Sequence, residues 1–284
     1  MSDFKTLKGL YIKHVSSDPS NLIEGQIWYN TTTQTIKVAP EISAWASGGN
    51  LGTGRYVLAG AGTQTAGLTF GGADSPVTAY NAETEEYDGS SWTESGDLGT
   101  ARRSLASAGT QTAALAFGGG GGTTPHASNP FTIFNETEEY NGTGWTAGGD
   151  LTTARHSLGG AGTQTAGLAF GGQPPTMNNS EEYDGSSWTA GNNLNTTRGY
   201  GAGCGIQTAA LFFAGGPGYL TATEGYDGTS WTALPSLATA RYATAGAGTK
   251  TAGLAIAGRV SGGVVTAATE EFTAATTARS VDTT

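Results

Sequence analysis

Residues 151–172 read L-T-T-A-R-H-S-L-G-G-A-G-T-Q-T-A-G-L-A-F-G-G, and residues 181–189 read E-E-Y-D-G-S-S-W-T. The same pattern returns along the 284-residue chain, and its tryptophans recur at intervals of 43 to 53 residues. These tryptophans are Trp45, Trp92, Trp145, Trp188 and Trp231. Self-similarity at this period indicates a repeat architecture in which each unit buries its faces against its neighbours.

Each repeat contains four short segments with the composition of β-strands. The first is rich in Gly, Ala and Ser and follows a recurrent arginine, which is Arg55, Arg102, Arg155, Arg198 or Arg241. The second is apolar and ends at glycine, the third carries E-E-Y or a relative, and an Asp-Gly or Asn-Gly turn leads to the tryptophan. Such turns between apolar runs are strong hairpin signals because glycine adopts positive φ without steric cost. Four antiparallel strands in about 45 residues are the size of one propeller blade.

The order of these elements predicts a ring of five blades over residues 41–275, followed by a tail at 276–284. Small residues suit a first strand that crowds toward a narrow axis, while Trp and Tyr fill the wider outer part of a blade. Trp45 precedes the first recurrent arginine, and the last repeat ends near Phe272 without a tryptophan. We therefore expect the Trp45 strand to pair with the Phe272 strand, closing the ring and removing its exposed edges.

The repeats resemble kelch repeats. The matching elements are the arginine before strand one, the glycine doublet Gly171-Gly172 after strand two, and then Tyr183 and Trp188 separated by a short turn. The resemblance covers about four-fifths of the chain and implies an all-β, five-bladed kelch-like β-propeller, which is a shape and not an activity. The G-T-Q-T turn, the small-residue first strand and the count of five depart from the usual kelch pattern.

Residues 1–40 carry a second resemblance. G-L-Y-I-K-H-V at 9–15 and E-G-Q-I-W-Y-N-T-T-T-Q-T-I-K-V at 24–38 look like a motif of bacteriophage tail-fibre and other virion proteins. The segment predicts a strand and a hairpin with Trp28 and Tyr29, too small for a core of its own. We expect it to serve attachment or oligomerisation, through sister chains or other virion proteins, in preference to packing on the ring.

The virion motif implies a component of the virion that is made in the host cytoplasm and forms a homo-oligomer. The G-T-Q-T-A-x-L-A-F-G-G pattern adds a resemblance to repeat proteins of marine phages. The net charge of −10 and a charged fraction of 13% argue against nucleic-acid binding. The chain has no polybasic segment for anionic lipids and no apolar run of the length that spans a membrane, so membrane insertion is not expected.

The sequence offers little that points to catalysis. His14, His126 and His156 have no second His or Cys at metal-ligand spacing, so neither a metal nor another cofactor is expected. Cys204 stands where other repeats have Ala or Gly, which predicts a small buried residue in preference to a reactive thiol. No nucleophile motif, P-loop or dinucleotide fingerprint is present, and the chain is predicted not to be an enzyme.

The paired glutamates Glu85-Glu86, Glu138-Glu139, Glu181-Glu182 and Glu270-Glu271 recur in every repeat except the fourth. Adjacent residues on a strand point to opposite faces, so these pairs do not converge on one bond as in a glycosidase. We expect them to receive the recurrent arginine or strand-end amides, with calcium binding as the alternative. The arginines are expected to fix their blades, the alternative being a cationic ring for an anionic ligand.

The loops after the glycine doublets differ between repeats and should emerge on one face. Variable loops on a repetitive frame are where binding usually resides. Exposed aromatic residues with asparagine suit stacking on sugars, which gives a set of candidates: Tyr80, His126, Phe131, Phe134, Asn178 and Tyr219. The alternative is loop drift without any ligand.

The preferred function is a non-enzymatic phage structural protein, associated with a fibre, tail or capsid, that binds a host-surface glycan or another virion protein. The alternatives are a lectin-like or carbohydrate-active propeller outside a virion, and an intracellular kelch scaffold.

Overall fold

A computed structural model describes residues 12–19, 27–38, 47–74, 79–121 and 131–274. These ranges contain β-strands and a single turn of 3₁₀ helix at Ser261–Gly263, which confirms the all-β prediction. None of the described residues lies in a helix long and apolar enough to cross a membrane. The chain divides into two compact units, Met1–Ser47 and Gly48–Thr284. The predicted tail at 276–284 and Trp45 both lie outside the described residues.

The first unit contains β1 (Lys13–Val15), β2 (Ile27–Asn30) and β3 (Thr35–Val38). Strand β1 pairs in parallel with β2, and β2 forms the predicted hairpin with β3. The Asp18 carboxylate accepts hydrogen bonds from the Trp28 indole (3.0 Å), the Asn30 amide (2.8 Å) and the Lys37 ammonium (2.6 Å). The bonds from Lys37, Asn30 and Trp28 lower the pKa of Asp18 to about 2. One face of the hairpin is thus held by a single carboxylate.

The other face of this hairpin is apolar and exposed. Ile27 is 49% exposed and Ile36 is 61% exposed, and Tyr29 is half-buried beside them. The Tyr29 ring contacts the His14 ring at a centroid distance of 5.0 Å. Trp28, predicted with Tyr29 as an attachment residue, is instead buried on the Asp18 face at 3% exposure.

The second unit contains five antiparallel sheets of three or four strands, one for each repeat, and a separate two-stranded sheet within repeat two. Sheet 1 contains β4 (Ala59–Thr63), β5 (Ala66–Phe70), β6 (Thr84–Tyr87) and β7 (Trp92–Glu94). Sheet 2 contains β8 (Ala106–Gly109) and β9 (Ala114–Phe117), and then β12 (Thr137–Tyr140) and β13 (Trp145–Ala147). The connection from β9 to β12 contains β10 (Gly120–Gly121) and β11 (Thr132–Ile133), which pair with each other as a separate two-stranded sheet. Sheet 3 contains β14 (Gly159–Thr163), β15 (Ala166–Phe170), β16 (Ser180–Tyr183) and β17 (Trp188–Ala190).

Sheet 4 contains β18 (Ala202–Ile206), β19 (Ala209–Phe213), β20 (Thr223–Tyr226) and β21 (Trp231–Leu234). Sheet 5 contains three strands, β22 (Ala245–Gly248), β23 (Ala252–Ile256) and β24 (Thr269–Thr273). In every sheet the strands follow one another side by side in chain order, as the repeat pattern predicts.

The turns explain two of the glycine positions. Gly162, one residue before the end of β14, has φ +110°, and a Cβ there would lie 2.1 Å from the Ala166 carbonyl oxygen. At the Asp-Gly turn of sheet 1, Gly89 has φ +94°, and the Asp88 carboxylate accepts the backbone N–H groups of Ser90 and Ser91 at 2.8 Å. Side chains other than glycine would strain both turns.

Apolar clusters join each sheet to the next. Leu168 and Phe170 of sheet 3 pack with Tyr226 and Trp231 of sheet 4, and equivalent clusters lie between sheets 1 and 2, 2 and 3, and 4 and 5. The first strands of successive sheets also contact one another. A Cβ at Gly160 would lie 2.7 Å from the Ser107 carbonyl oxygen of the neighbouring sheet, which explains why this strand is built of small residues.

Candidate functional site

Each recurrent arginine is buried in an ion pair within its own repeat. The Arg155 guanidinium donates to the carbonyl oxygens of Gly171 (3.1 Å) and Asn179 (3.0 Å) and to Glu181. The second oxygen of Glu181 accepts the backbone N–H of Thr152 at 2.7 Å. Burial lowers the pKa of Arg155, and the Glu181 charge opposes that shift.

The arrangement recurs in the other four repeats, in the pairs Arg55–Glu85, Arg102–Glu138, Arg198–Glu224 and Arg241–Glu270. In each, the same glutamate also accepts a backbone N–H from the segment that precedes the arginine. The recurrent arginine and the first glutamate of each repeat are thus partners in one ion pair. These arginines, which have no exposed side-chain surface, are not placed to meet a ligand.

A continuous line of aromatic side chains crosses one end of the five sheets. We call it the aromatic row, and it comprises Tyr56, Tyr80, Phe131, His156, Tyr200, Tyr219 and Tyr242 together with the cation Arg103. The members come from two places: the one or two residues that follow the recurrent arginine, and the loops that follow the glycine doublets. All are half-buried except Tyr56, which is 40% exposed.

Arg103 organises the part of the row on sheets 1 and 2. Its guanidinium carbon lies 5.5 Å from the Tyr80 ring centroid and 5.3 Å from that of Phe131, within the range of cation–π attraction. It also donates to the Tyr56 hydroxyl at 3.3 Å. The Tyr80 and Phe131 rings are 6.2 Å apart. Residues from three separate segments thus surround one guanidinium.

The row continues over sheets 3, 4 and 5. The centroid distances are 5.1 Å from Phe131 to His156, 6.1 Å from His156 to Tyr200, and 4.5 Å from Tyr200 to Tyr242. Tyr219 contacts Tyr242 at 6.2 Å. Tyr200 has φ +58°, and the equivalent residues Val57, Ser104, Ser157 and Ala243 have φ of +51° to +55°, so this conformation is a feature of the repeat backbone.

The backbone places the row by short antiparallel bridges. His156 and Gln173 exchange two backbone hydrogen bonds of 2.9 Å, and Tyr242 and Arg259 exchange bonds of 2.9 and 2.8 Å. The same bridge joins Arg103 to Gly120. The start of each first strand is therefore held against the loop that follows the glycine doublet.

The aromatic row contains a positive charge that does not belong to a buried ion pair, which is uncommon in this unit. Among the described arginines and lysines of the second unit, those outside the buried ion pairs are Arg103, Lys250 and Arg259. Arg103 belongs to the row, and Arg259 is paired through its backbone with Tyr242. Burial, and then the Arg103 charge, lower the pKa of His156. Burial and the neighbouring Tyr200 raise the pKa of Tyr242 to about 12. The row thus combines the Arg103 cation with hydrogen-bonding rings, and Arg259 lies next to it along the backbone.

The predicted ligand-binding residues do not all lie in the aromatic row. Tyr80, Phe131 and Tyr219 lie in the aromatic row. The Asn178 amide donates to the Leu194 carbonyl oxygen at 3.2 Å, and the Phe134 ring is half-buried outside the row. His126 lies outside the described residues.

Sequence reasoning missed the other members of the row. Tyr56, Arg103, His156 and Tyr242 occupy one position of the repeat, directly after the recurrent arginine, and their side chains differ from repeat to repeat. Tyr200 follows the same slot in repeat four, where Gly199 occupies it. The available signal was that large polar and aromatic residues occupy a variable position inside an otherwise constant sequence motif.

The recurrent tryptophans and the cysteine have packing roles. The indoles of Trp145, Trp188 and Trp231 contact phenylalanines of the preceding sheet at centroid distances of 4.6, 4.9 and 5.0 Å. Cys204 is buried, as predicted, and burial raises the pKa of its thiol to about 11. Within the ranges that the structure describes, no three His, Cys, Asp or Glu residues group as metal ligands.

Aromatic faces flanked by tyrosine hydroxyls and a guanidinium are suited to stacking on and hydrogen bonding to a polyhydroxylated ligand. No protein-family model matches this chain, and no curated protein sequence matches it either.

Proposed function

We propose that this protein is a non-enzymatic component of a phage virion, carried on a fibre, tail or capsid, and that it binds a host-surface saccharide through the aromatic row. The five repeat sheets are the five blades of a kelch-like propeller that displays the row. The observation that carries the binding proposal is the unbroken contact of rings and guanidinium from Tyr56 to Tyr219, drawn from all five repeats.

Rings that are already fixed by their neighbours support binding because little rotamer freedom remains to be lost. Tyr80 and Phe131 are held by Arg103, and Tyr200 and Tyr242 are held by each other. Aromatic residues and arginine are also the side chains that dominate binding energy at protein surfaces. The variation of the row between repeats suits an irregular ligand better than a repetitive one.

The form of sheet 5 supports closure of the propeller by a strand from the N-terminal side. Among the described residues, sheet 5 has three strands, whereas sheets 1 to 4 have four. A cleft of about 210 Å³ lies beside it, lined among others by Phe213, Thr223, Gly253 and Phe272. The sequence pattern predicts that the fourth strand of this sheet carries a tryptophan, as it does in the other repeats.

Sheet 4 shows how such a cleft is filled. The Trp231 indole packs edge-on against Phe170 at 5.0 Å, and its N–H lies 3.5 Å from the Ser180 hydroxyl of sheet 3. Phe213 and Thr223 are the residues of the next repeat that correspond to Phe170 and Ser180. The cleft therefore has the lining of an indole site.

The exposed apolar face of the first unit supports attachment to sister chains or other virion proteins. Ile27 and Ile36 expose about half or more of their surfaces side by side with Tyr29. Contiguous exposed apolar residues commonly mark sites of protein association. Changing Ile27 and Ile36 to serine in the full chain should lower its assembly state in light scattering; an unchanged state would overturn the attachment proposal.

A saccharide array probed with the full-length protein tests the binding proposal. Phe131→Ala and Arg103→Ala should each weaken binding of the best saccharide by about tenfold or more, as for central interface residues. Ile206→Ala is the matched control, since Ile206 is an exposed apolar residue at the far end of a first strand. An array without binding, or row variants that bind as tightly as the control, would overturn it.

A further inference from the structure

Arg103 places a permanent cation at a repeat position that otherwise carries an aromatic ring or glycine. The position follows the recurrent arginine, and the other repeats have Tyr56, His156, Gly199 and Tyr242 there. The Arg103 N–H donates to the Gly120 carbonyl oxygen at 2.9 Å, and the Gly120 N–H donates to the Arg103 carbonyl oxygen at 3.0 Å. The backbone therefore holds this cation in the same way as it holds the rings.

The Arg103 guanidinium has donors that no described residue uses. Its Nη1 donates to the Tyr56 hydroxyl at 3.3 Å, and its Nη2 makes no hydrogen bond within the described residues. Its Nε is buried and has no acceptor among them either. The neighbouring Arg102, by contrast, donates to the Glu136 carbonyl oxygen at 2.8 Å and to the Glu138 carboxylate at 3.0 Å. Because polar groups at such places are normally paired, Arg103 has room for an acceptor that the described chain does not supply.

The Tyr56 hydroxyl adds a further donor at the same place. Tyr56 is 40% exposed, and its oxygen accepts the Arg103 bond, so its own hydrogen is available to a ligand. Within the described ranges, no salt bridge joins Arg103 to a carboxylate. The two Nη groups and this hydroxyl therefore present hydrogen-bond donors without an acidic partner. A carboxylate, which accepts at both oxygens and donates at neither, is the ligand group that suits them.

An aromatic wall lies beside these donors, and a glycine makes room for it. A Cβ at Gly120 would lie 2.4 Å from the Phe131 ring, so a side chain there would displace the ring. The pairing of β10 with β11 sets Gly120 opposite Ile133, which fixes the chain that follows Phe131. The Phe131 and Tyr80 rings lie 5.3 and 5.5 Å from the guanidinium carbon of Arg103. Rings placed in this way can stack on the apolar face of a sugar whose acidic group meets the cation.

The charge at Arg103 is not cancelled, although the chain as a whole is acidic. The net charge is −10, and each of the five recurrent arginines is paired with its own glutamate. Of the three described cations of this unit outside those ion pairs, Arg103 is the one in cation–π contact with rings. The acidic residue of the adjoining loop, Asp74, accepts the Asn81 amide at 2.9 Å. Burial and the Arg103 charge lower the pKa of His156, so this nearby ring is neutral at pH 7.

We propose, building on the proposed function, that the saccharide bound by the aromatic row is acidic: its carboxylate accepts hydrogen bonds from the two Nη groups of Arg103 and from the Tyr56 hydroxyl, and its sugar ring stacks on Phe131. The ligand class is that of uronic and sialic acids, in which a carboxylate is attached to the sugar ring. A planar carboxylate suits a planar guanidinium because two parallel N–H···O bonds form together.

Calorimetric titration of the full-length protein with matched pairs of saccharides tests this ligand class. Each pair consists of a uronate or sialate oligosaccharide and its carboxyl-reduced form, in which a hydroxymethyl group replaces the carboxylate. The unaltered protein should bind the best acidic form about tenfold or more tightly than the reduced form, the size expected for hydrogen bonds to a charged group. The ratio of the two affinities is the readout, because a purely structural effect of Arg103 on the rings would weaken both forms alike.

Three variants assign the preference to its residues. Arg103→Gln should remove it, because the charge is lost. Arg103→Lys keeps the charge without the paired donors and should give an intermediate ratio. Tyr56→Phe should lower the ratio and leave part of it. Lys250→Gln is the matched control and should keep the full ratio, since Lys250 lies in the turn between β22 and β23, at the opposite end of the strands from the aromatic row.

Equal affinity of the unaltered protein for the acidic and reduced forms would overturn the acidic ligand. A preference that survives in Arg103→Gln, or that Lys250→Gln abolishes as well, would also overturn it. If Arg103→Gln does not fold, Arg103→Lys and Tyr56→Phe replace it, and an undiminished ratio in both would exclude the carboxylate contact.

The same titrations separate this inference from the proposed function. Binding of both forms alike, lost in Phe131→Ala, would leave the saccharide function and remove the acidic ligand. If no saccharide binds, the proposed function fails, and acetate tests the anion site by itself through the NMR titration of the imidazole whose signal is lost in His156→Gln. Acetate at Arg103 should raise the pKa of His156, because it offsets the charge that lowers this pKa. A rise that is absent in Arg103→Gln would support the carboxylate contact, and no rise in the unaltered protein would overturn it.

Discussion

Replacing Arg155 with methionine is expected to destabilise the repeat unit by about 3–5 kcal/mol, the usual effect of removing one partner from a buried ion pair. The guanidinium donates to the carbonyls of Gly171 and Asn179 and to Glu181, whose side chain is 3% exposed. Methionine retains most of the volume and none of the donors, so a buried carboxylate loses its counter-charge. At about 2–4 °C per kcal/mol for a unit of this size, Tm should fall by about 6–20 °C.

The assay is urea and thermal unfolding of the full-length protein, followed by tryptophan fluorescence. The double variant Arg155→Met with Glu181→Gln should recover part of the loss, because the uncompensated charge is then gone. Lys250→Met is the control, since Lys250 is half-buried and has no carboxylate partner among the described residues; it should change stability by less than about 1 kcal/mol. A loss below about 1 kcal/mol for Arg155→Met, or no recovery in the double variant, would refute the reasoning.

Three further outcomes are expected. Gly171→Ala should lower Tm, because φ is +64° and the new Cβ would lie 2.4 Å from a backbone carbonyl; Gly144→Ala, with open space around it, should leave the calorimetric Tm unchanged, and equal effects would contradict the packing. The pKa of His156 is lowered by burial and by the Arg103 charge, so the stability that it contributes is present above about pH 6.5 and is lost as the pH falls through the folded-state pKa; unfolding midpoints that show the same acid dependence in His156→Gln would exclude this. The Cys204 thiol, whose pKa burial raises to about 11, should react with a thiol reagent at pH 8 only when the protein unfolds, and labelling at the rate of a free cysteine would argue against its burial.

The strand order and the turns could be predicted from the sequence because they depend on short-range chemistry. Asp-Gly turns, the small residues of the first strand and the apolar second strand each specify local structure within a few residues. The pairing of arginine with the first glutamate was also predictable, since Arg155 and Glu181 recur together in every repeat at similar spacing. Because the motif recurs, each of these inferences from one repeat could be compared with the other repeats.

The aromatic row could not be predicted in the same way. Its contacts join different repeats: Phe131 meets His156, and Tyr200 meets Tyr242, across 25 to 42 residues of chain. Asn178 is a second example, because the hydrogen bond from its amide to the Leu194 carbonyl oxygen could not be predicted from the composition of its loop. Exposure and contact depend on which loops the sheets bring together, and a single repeat carries no such information.

The sequence by itself determined that the chain is built of five all-β repeats. The spacing of hydrophobic residues and the turn residues specify local structure, and both recur in each of the five repeats. Only the tertiary structure decided which side chains of different repeats contact one another. Examples are the hydrogen bond from the Tyr140 hydroxyl to Glu86 and the position of the Arg103 guanidinium near the rings of Tyr80 and Phe131. The physical reason is that these contacts depend on the rotation and offset of one sheet against the next, which arise from packing over the whole repeat unit.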